Sequence, residues 1–147
     1  MDQLITRSGL PVRIMMVEDN EGDVLLTREA LKDAEIVNEL FQFKDGEAAI
    51  RFLREAVAAG FPQLPGLILM DINMPKLSGH EVMFAMRQDP VLSEIPVFLF
   101  TSSEAPPDIE RSKHNRATGY LVKPLDLQKF REAVLSTPGL AFTEKHD

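Results

Sequence analysis

Leu67-Ile-Leu-Met-Asp-Ile-Asn-Met-Pro-Lys-Leu-Ser-Gly79 runs four apolar residues straight into an aspartate and then into a segment broken by Pro75 and Gly79. A run that is apolar at every position reads as a strand buried on both faces, the mark of a central strand in a parallel sheet covered by helices. Pro75 and Gly79 forbid a regular element over the next segment, so Asp71 stands on a loop at the carboxyl end of that strand. The same pattern recurs outward from this stretch. Upstream, Val12-Arg-Ile-Met-Met-Val17 precedes Glu21 to Ala34, where Val24, Leu26, Ala30, Leu31 and Ala34 form a helical stripe. Glu39 to Phe43 alternates as an outer strand does, and Lys44-Asp45-Gly46 turns into a helix facing Ala49, Phe52, Leu53 and Ala56 inward. Ala58 to Gly66 is a long loop. Downstream come a short helix from His80 to Gln88, the run Val97-Phe-Leu-Phe100, a helix start at Pro106-Pro, the run Tyr120-Leu-Val122, and a last helix with Leu127, Phe130 and Val134 at i, i+3 and i+7.

Strands alternating with helices predict an α/β domain, a (βα)5 doubly wound, parallel five-stranded sheet. The expected domain spans 12–136, with an N-terminal extension over 1–11, a tail over 137–147 and no output domain. In the tail, the apolar Leu140-Ala-Phe142 is expected to pack onto the domain, in preference to a second copy of the chain. Composition narrows the function. The 147 residues contain no cysteine, which removes disulfides, thiol chemistry and Cys-ligated metals, and His80, His114 and His146 lack metal-ligand spacing. A net charge of −7 argues against nucleic acid as a partner, because phosphate neutralisation needs clustered Lys and Arg. No apolar run is long enough to span a membrane, and the first residues lack signal-peptide order, so cytoplasmic residence is expected.

In a doubly wound sheet, ligands bind beyond the carboxyl ends of the strands. Those positions hold Glu18 and Asp19, then Asp71, then Thr101, then Lys123-Pro124. Taken singly each has an ordinary structural role, such as capping a helix or closing a loop. Together they make a chemical set: carboxylates that repel unless a hard, oxygen-seeking cation such as Mg²⁺ neutralises them, with a cation and a hydroxyl suited to phosphoryl oxygens. The predicted chemistry is phosphoryl transfer to Asp71.

Val17-Glu-Asp-Asn20, Leu69-Met-Asp-Ile-Asn-Met-Pro75, Leu99-Phe-Thr-Ser102 and Tyr120-Leu-Val-Lys-Pro124 resemble the motifs of two-component response-regulator receiver domains. The resemblance covers about Val12 to Ser136 and implies a flavodoxin-like sheet of strand order 2-1-3-4-5. The long segment after the second helix and the start Glu18-Asp-Asn-x-x-Asp23 resemble, within that family, single-domain regulators paired with bacterial phytochrome histidine kinases.

The resemblance implies that Asp71 is the phosphoacceptor and that Asp19 and Asp71 ligate Mg²⁺, with Glu18 acting through a water and Asn73 through its backbone carbonyl. Mn²⁺ or Ca²⁺ would substitute in the site. Lys123 would pair with a phosphoryl oxygen, with a cis peptide bond before Pro124, while Thr101 and Tyr120 would move inward as switch residues. Ser102 stands where Ala is common and adds a hydroxyl near the phosphoryl group; Asn73 and Ser103 would tune phosphoryl lifetime. Arg116 stands where Gly is often found.

The implied partners are a sensor histidine kinase, of bacteriophytochrome type, or a phosphotransfer protein, an unidentified downstream protein, and a second copy of this chain meeting through the fourth helix and the last strand. The chain is then a phosphoacceptor that catalyses its own phosphotransfer and slow autodephosphorylation, not an enzyme. A Mg²⁺-dependent aspartyl-phosphate phosphatase would want a second acid where Asn73 stands. A nucleotide- or flavin-binding relative would want a Gly-rich loop where Glu18-Asp19 stands. A receiver-like adaptor that works without phosphorylation is the remaining alternative.

Overall fold

A computed structural model describes residues 1–60, 64–102, 106–114 and 116–145. Its centre is a five-stranded parallel sheet of β2 (Ile14–Val17), β3 (Leu40–Phe43), β4 (Leu67–Met70), β5 (Val97–Thr101) and β6 (Gly119–Val122), in the order β3-β2-β4-β5-β6. Counting these strands alone, the order is 2-1-3-4-5, as the resemblance implies. The register places Val17 beside Phe43 and Met70, and Met70 beside Leu99. The strands therefore end nearly level, and the loops that leave them meet at one edge.

The strand period of two sorts the core into two faces. Ile14, Met16, Leu67, Leu69, Phe98 and Phe100 pack with Val24 and Leu31 of α1 (Glu21–Asp33) and Phe130 and Val134 of α5 (Leu127–Leu135). Met15, Val17, Ile68, Met70, Val97 and Leu99 pack on the other face with Ala49, Ile50 and Leu53 of α2 (Gly46–Ala58) and Val82, Met83 and Met86 of α3 (Gly79–Arg87). The remaining helix is α4 (Pro106–His114). Side-chain caps start the helices at the site edge: Asn20 accepts from the amide of Asp23, Asp45 from Ala48, and Ser78 forms a reciprocal capping box with Glu81.

Two features depart from the sequence reading. Leu26, assigned to the inward stripe of α1, is 56% exposed, and Thr27 takes the inward place. Burying a threonine is tolerable here because its hydroxyl donates to the carbonyl of Asp23 at 2.8 Å. The second departure lies at the chain ends, which hold a further antiparallel sheet of β1 (Asp2–Thr6) and β7 (Leu140–Glu144), with Leu4 opposite Phe142. Leu4 is fully buried, and Leu140 and Phe142 pack against the same core cluster. The Asn38 side chain accepts from the Leu4 amide at 2.7 Å and donates to the carbonyls of Leu4 and Val12 at 2.9 and 2.8 Å. Arg131 of α5 pairs with Asp2 at 2.9 Å and lies over the Phe142 ring.

Candidate functional site

The loops leaving β2, β4 and β6 bring Glu18, Asp19, Asp71 and Lys123 to one edge. Carboxylate oxygens of Glu18, Asp19 and Asp71 all lie within 4.8 Å of one another. Glu18 and Asp71 are buried, 1% and 7% exposed, while Asp19 faces solvent. Buried carboxylates this close repel and lose hydration, so they need cations. Lys123 supplies one: its Nζ donates to Glu18 Oε2 at 2.6 Å, to Asp23 Oδ2 at 2.9 Å and to Asp71 Oδ2 at 3.5 Å.

The electrostatics follow from this crowding. Burial, joined by the field of Asp71, pushes the Glu18 carboxyl up to about 7 against the pull of the Lys123 and Asn20 hydrogen bonds. Burial by itself draws the Lys123 ammonium down, but the hydrogen bonds to Glu18 and Asp23 and the field of Asp71 more than offset it and hold it above the usual lysine range. Lys123 is therefore a fixed positive charge. Four carboxylates to one ammonium leave an uncompensated negative site. Hard oxygen donors around such a deficit fit Mg²⁺ or a similar divalent ion.

Around this centre, Asp71 Oδ1 accepts from the amide of Asn73 at 3.3 Å, which orients the carboxylate, and the Asn73 side chain is exposed beside it. Thr101, the last residue of β5, is fully buried, whereas Ser102 is exposed. Tyr120, second residue of β6, is half-buried against the core cluster that also holds Leu99. The Lys123–Pro124 peptide is cis. Ser103 lies outside the described residues. A cavity of about 310 Å³ opens next to Lys123, lined by Asp23, Thr27, Phe100, Ser102 and Pro124 among others.

Asp23 is the site residue to which the sequence motif alone assigns no work. Its signal is present: it follows Asp19 by four positions in the first turn of α1, one helical turn along. Only the fold shows that this turn faces Lys123.

The chain matches the family described as response regulator receiver domain over residues 14–135. It belongs to the response regulator receiver family. Rcp1 of Synechocystis sp. is 37% identical over 121 residues, 82% of this chain and 82% of its own. The probable methanogenesis regulatory protein FilR2 of Methanothrix harundinacea is 32% identical over 124 residues, 84% of this chain and 79% of its own. The structure of phosphorylated RcpA, a cyanobacterial phytochrome response regulator, superposes with a TM-score of 0.73 at 33% identity, covering 88% of this chain and 97% of that one. The Mn²⁺-bound form of Rcp1 gives a TM-score of 0.69 at 36% identity, covering 84% and 89%.

As a receiver, the chain is a response regulator, a signalling protein that works with a histidine kinase or a phosphotransfer protein. The family's divalent-cation requirement agrees with the donor set at its strand edge. No helix among the described residues is long and apolar enough to cross a membrane.

Proposed function

We propose that Asp71 accepts a phosphoryl group from the phosphohistidine of a sensor histidine kinase, or of a phosphotransfer protein. The observation that carries this is the placement of the Asp71 carboxylate, buried, oriented by the Asn73 amide and 3.5 Å from the Lys123 ammonium, within a cluster of oxygen donors. In the transfer, one Asp71 carboxylate oxygen forms a bond to phosphorus as the histidine N–P bond breaks. Lys123 meets the charge that gathers on the phosphoryl oxygens, and Thr101, at the end of β5, would donate to one of them. Glu18, Asp19, Asp71 and the Asn73 carbonyl would hold the divalent ion, which when bound screens the approach of one anion to another. The approach is otherwise opposed by every carboxylate of the site.

The switch then runs through Thr101 and Tyr120, whose strands adjoin, to the surface of α4, β6 and α5, where a downstream protein or a second copy of the chain would bind. Moving such a two-state equilibrium from mostly off to mostly on needs about 5 kcal/mol of differential stabilisation, within reach of contacts to a doubly charged group. Slow autodephosphorylation follows from the lack of a general acid at Asn73, with Asn73 and Ser103 setting the lifetime. The kinase is of bacteriophytochrome type, a reading supported by RcpA being a phytochrome response regulator, and the exchange takes place in the cytoplasm.

Intact-protein mass spectrometry after incubation with acetyl phosphate and Mg²⁺ tests the central claim. One phosphoryl adduct is expected, absent in Asp71→Asn and in EDTA. A folded wild type that gains no adduct refutes the phosphoacceptor reading and leaves the adaptor.

A further inference from the structure

We infer that Asp23 is a latch on Lys123: it holds the ammonium in the unphosphorylated protein and so sets how tightly the site retains a phosphoryl group. The inference rests on the phosphoacceptor reading of Asp71. An ammonium has three hydrogens to donate, and all three are taken, by Glu18 at 2.6 Å, Asp23 at 2.9 Å and Asp71 at 3.5 Å. The phosphoryl group is built on Asp71, whose 3.5 Å contact is the longest of the three, so its oxygens can draw the ammonium closer only at the expense of Glu18 or Asp23.

Asp23 is the partner that can let go. Glu18 is 1% exposed and makes the shortest contact to the ammonium, whereas the Asp23 side chain makes a longer one, is 31% exposed, can hydrate, and lies outside the cluster of Glu18, Asp19 and Asp71. The cavity of about 310 Å³ that both Asp23 and Lys123 line gives it room to turn. The backbone of Asp23 is fixed independently of its carboxylate, by the amide's bond to the Asn20 side chain at 3.1 Å and the Thr27 hydroxyl's bond to its carbonyl. The side chain is thus free to be a moving part, and Asp23→Asn removes its charge without removing the helix start.

The direction is fixed by the competition. A phosphoryl group that draws the ammonium toward Asp71 weakens the Lys123–Asp23 pair, so a protein without that pair binds it more tightly. A partly exposed ion pair contributes up to about fivefold in such an equilibrium.

Titration with beryllofluoride, a phosphoryl mimic, followed by ¹⁹F NMR in Mg²⁺ buffer reads this on wild type, Asp23→Asn, Asp23→Glu, Lys123→Gln and the Asp23→Asn, Lys123→Gln double variant. Asp23→Asn is expected to bind about fivefold more tightly, Asp23→Glu to return toward wild type, and the gain to vanish in the Lys123→Gln background. A gain of equal size without Lys123 overturns the latch in favour of a bulk charge effect, and no gain, or a loss, overturns it outright. A second readout is independent of phosphorylation. In the metal-free protein the Lys123 ammonium ¹H–¹⁵N signal, slowed in exchange by its partners, is expected to weaken in Asp23→Asn; an unchanged signal refutes the pairing. Absence of any adduct from acetyl phosphate on wild type would overturn the phosphoacceptor reading instead, and the ammonium signal would still decide whether Asp23 holds Lys123.

Discussion

Replacing Gly79 by alanine tests whether the loop after β4 positions Asp71, the proposed phosphoacceptor. A Cβ built on Gly79 runs into the carbonyl oxygen of Asp71 and comes within 3.0 Å of the Asp71 carbonyl carbon and of the Ile72 Cα. All three are backbone atoms, with no flexible side chain among them to give way. The loop is also closed on itself by the Gly79 amide, which donates to the Ile72 carbonyl at 2.9 Å, and α3 begins at this glycine behind the Ser78 capping box. Ordinary carbon contacts need about 3.5 Å, so relieving the overlap requires the Asp71 backbone to move on the order of 1 Å. Forced overpacking of this kind costs roughly 1–3 kcal/mol, and three backbone contacts place this case near the upper end. A displacement of about 1 Å at a reacting group lowers the rate by roughly a hundredfold. Urea unfolding gives the first quantity and the initial rate of adduct formation from acetyl phosphate gives the second, with the rate measured where the variant is still folded. Gly79→Ala with a rate within about twofold of wild type would refute the claim that this close approach sets the geometry of Asp71.

Three further outcomes are expected of the same structure. Leu4→Ala should cost about 3 kcal/mol in urea unfolding, since Leu4 is fully buried and Asn38 pins its backbone so the cavity cannot close; a cost below about 1 kcal/mol would show that the terminal sheet is not part of the folded core. Mg²⁺ at ten times its dissociation constant should raise unfolding stability by about 1.4 kcal/mol through mass action, reversibly with EDTA and not in Asp19→Asn; equal stabilisation of both proteins would remove Asp19 from the ligand set. Asp45, the N-cap of α2, has its carboxyl held below its ordinary value by the Ala48 amide and, more weakly, by Lys76, so it stabilises the fold above its unfolded pKa and this is lost as pH falls through the folded one. Asp45→Asn keeps the cap and should flatten that acid limb in a melting-temperature profile, and a limb as steep as wild type would contradict it.

How much of the fold is legible in the chain depends on whether the deciding contact is local. The parallel strands are legible because a strand buried on both faces must be apolar throughout, as Leu67–Met70 is, and because Pro75, Gly79 and the caps punctuate the chain between elements. Leu26 misleads because hydropathy alone cannot tell which of two adjacent positions turns inward. Val24, Thr27 and Leu31 are the buried set at i, i+3 and i+7, and a threonine whose hydroxyl is satisfied within its own helix substitutes for a leucine. The terminal strands leave a partial trace: the apolar Leu140-Ala-Phe142 marks packing onto the domain, but nothing local marks its pairing with Asp2–Thr6. Leu4 is the only buried residue of Asp2–Thr6, and its neighbours across the ladder and through Asn38 come from the far end of the chain and from the segment just before β3.

The site shows the same division, and it has a consequence for how the receiver works. Residue types at strand ends are legible as chemistry, because only a few side chains handle a phosphoryl group and a divalent ion. Pairings are not, since Lys123 is separated from Asp23 by 100 positions and from Glu18 by 105. Those pairings decide the resting state. A lysine facing Asp71 alone would already point at the place a phosphoryl oxygen will occupy, and there would be little to gain on phosphorylation beyond the new bond. Here the ammonium is nearer to Glu18 and Asp23 than to Asp71, so part of its interaction energy is spent on partners other than the phosphoacceptor until a more highly charged oxygen arrives. A ligand shifts a two-state protein only by its differential interaction with the two states, and the proposed exchange of Asp23 for a phosphoryl oxygen at Lys123 would be one such difference, located on named atoms.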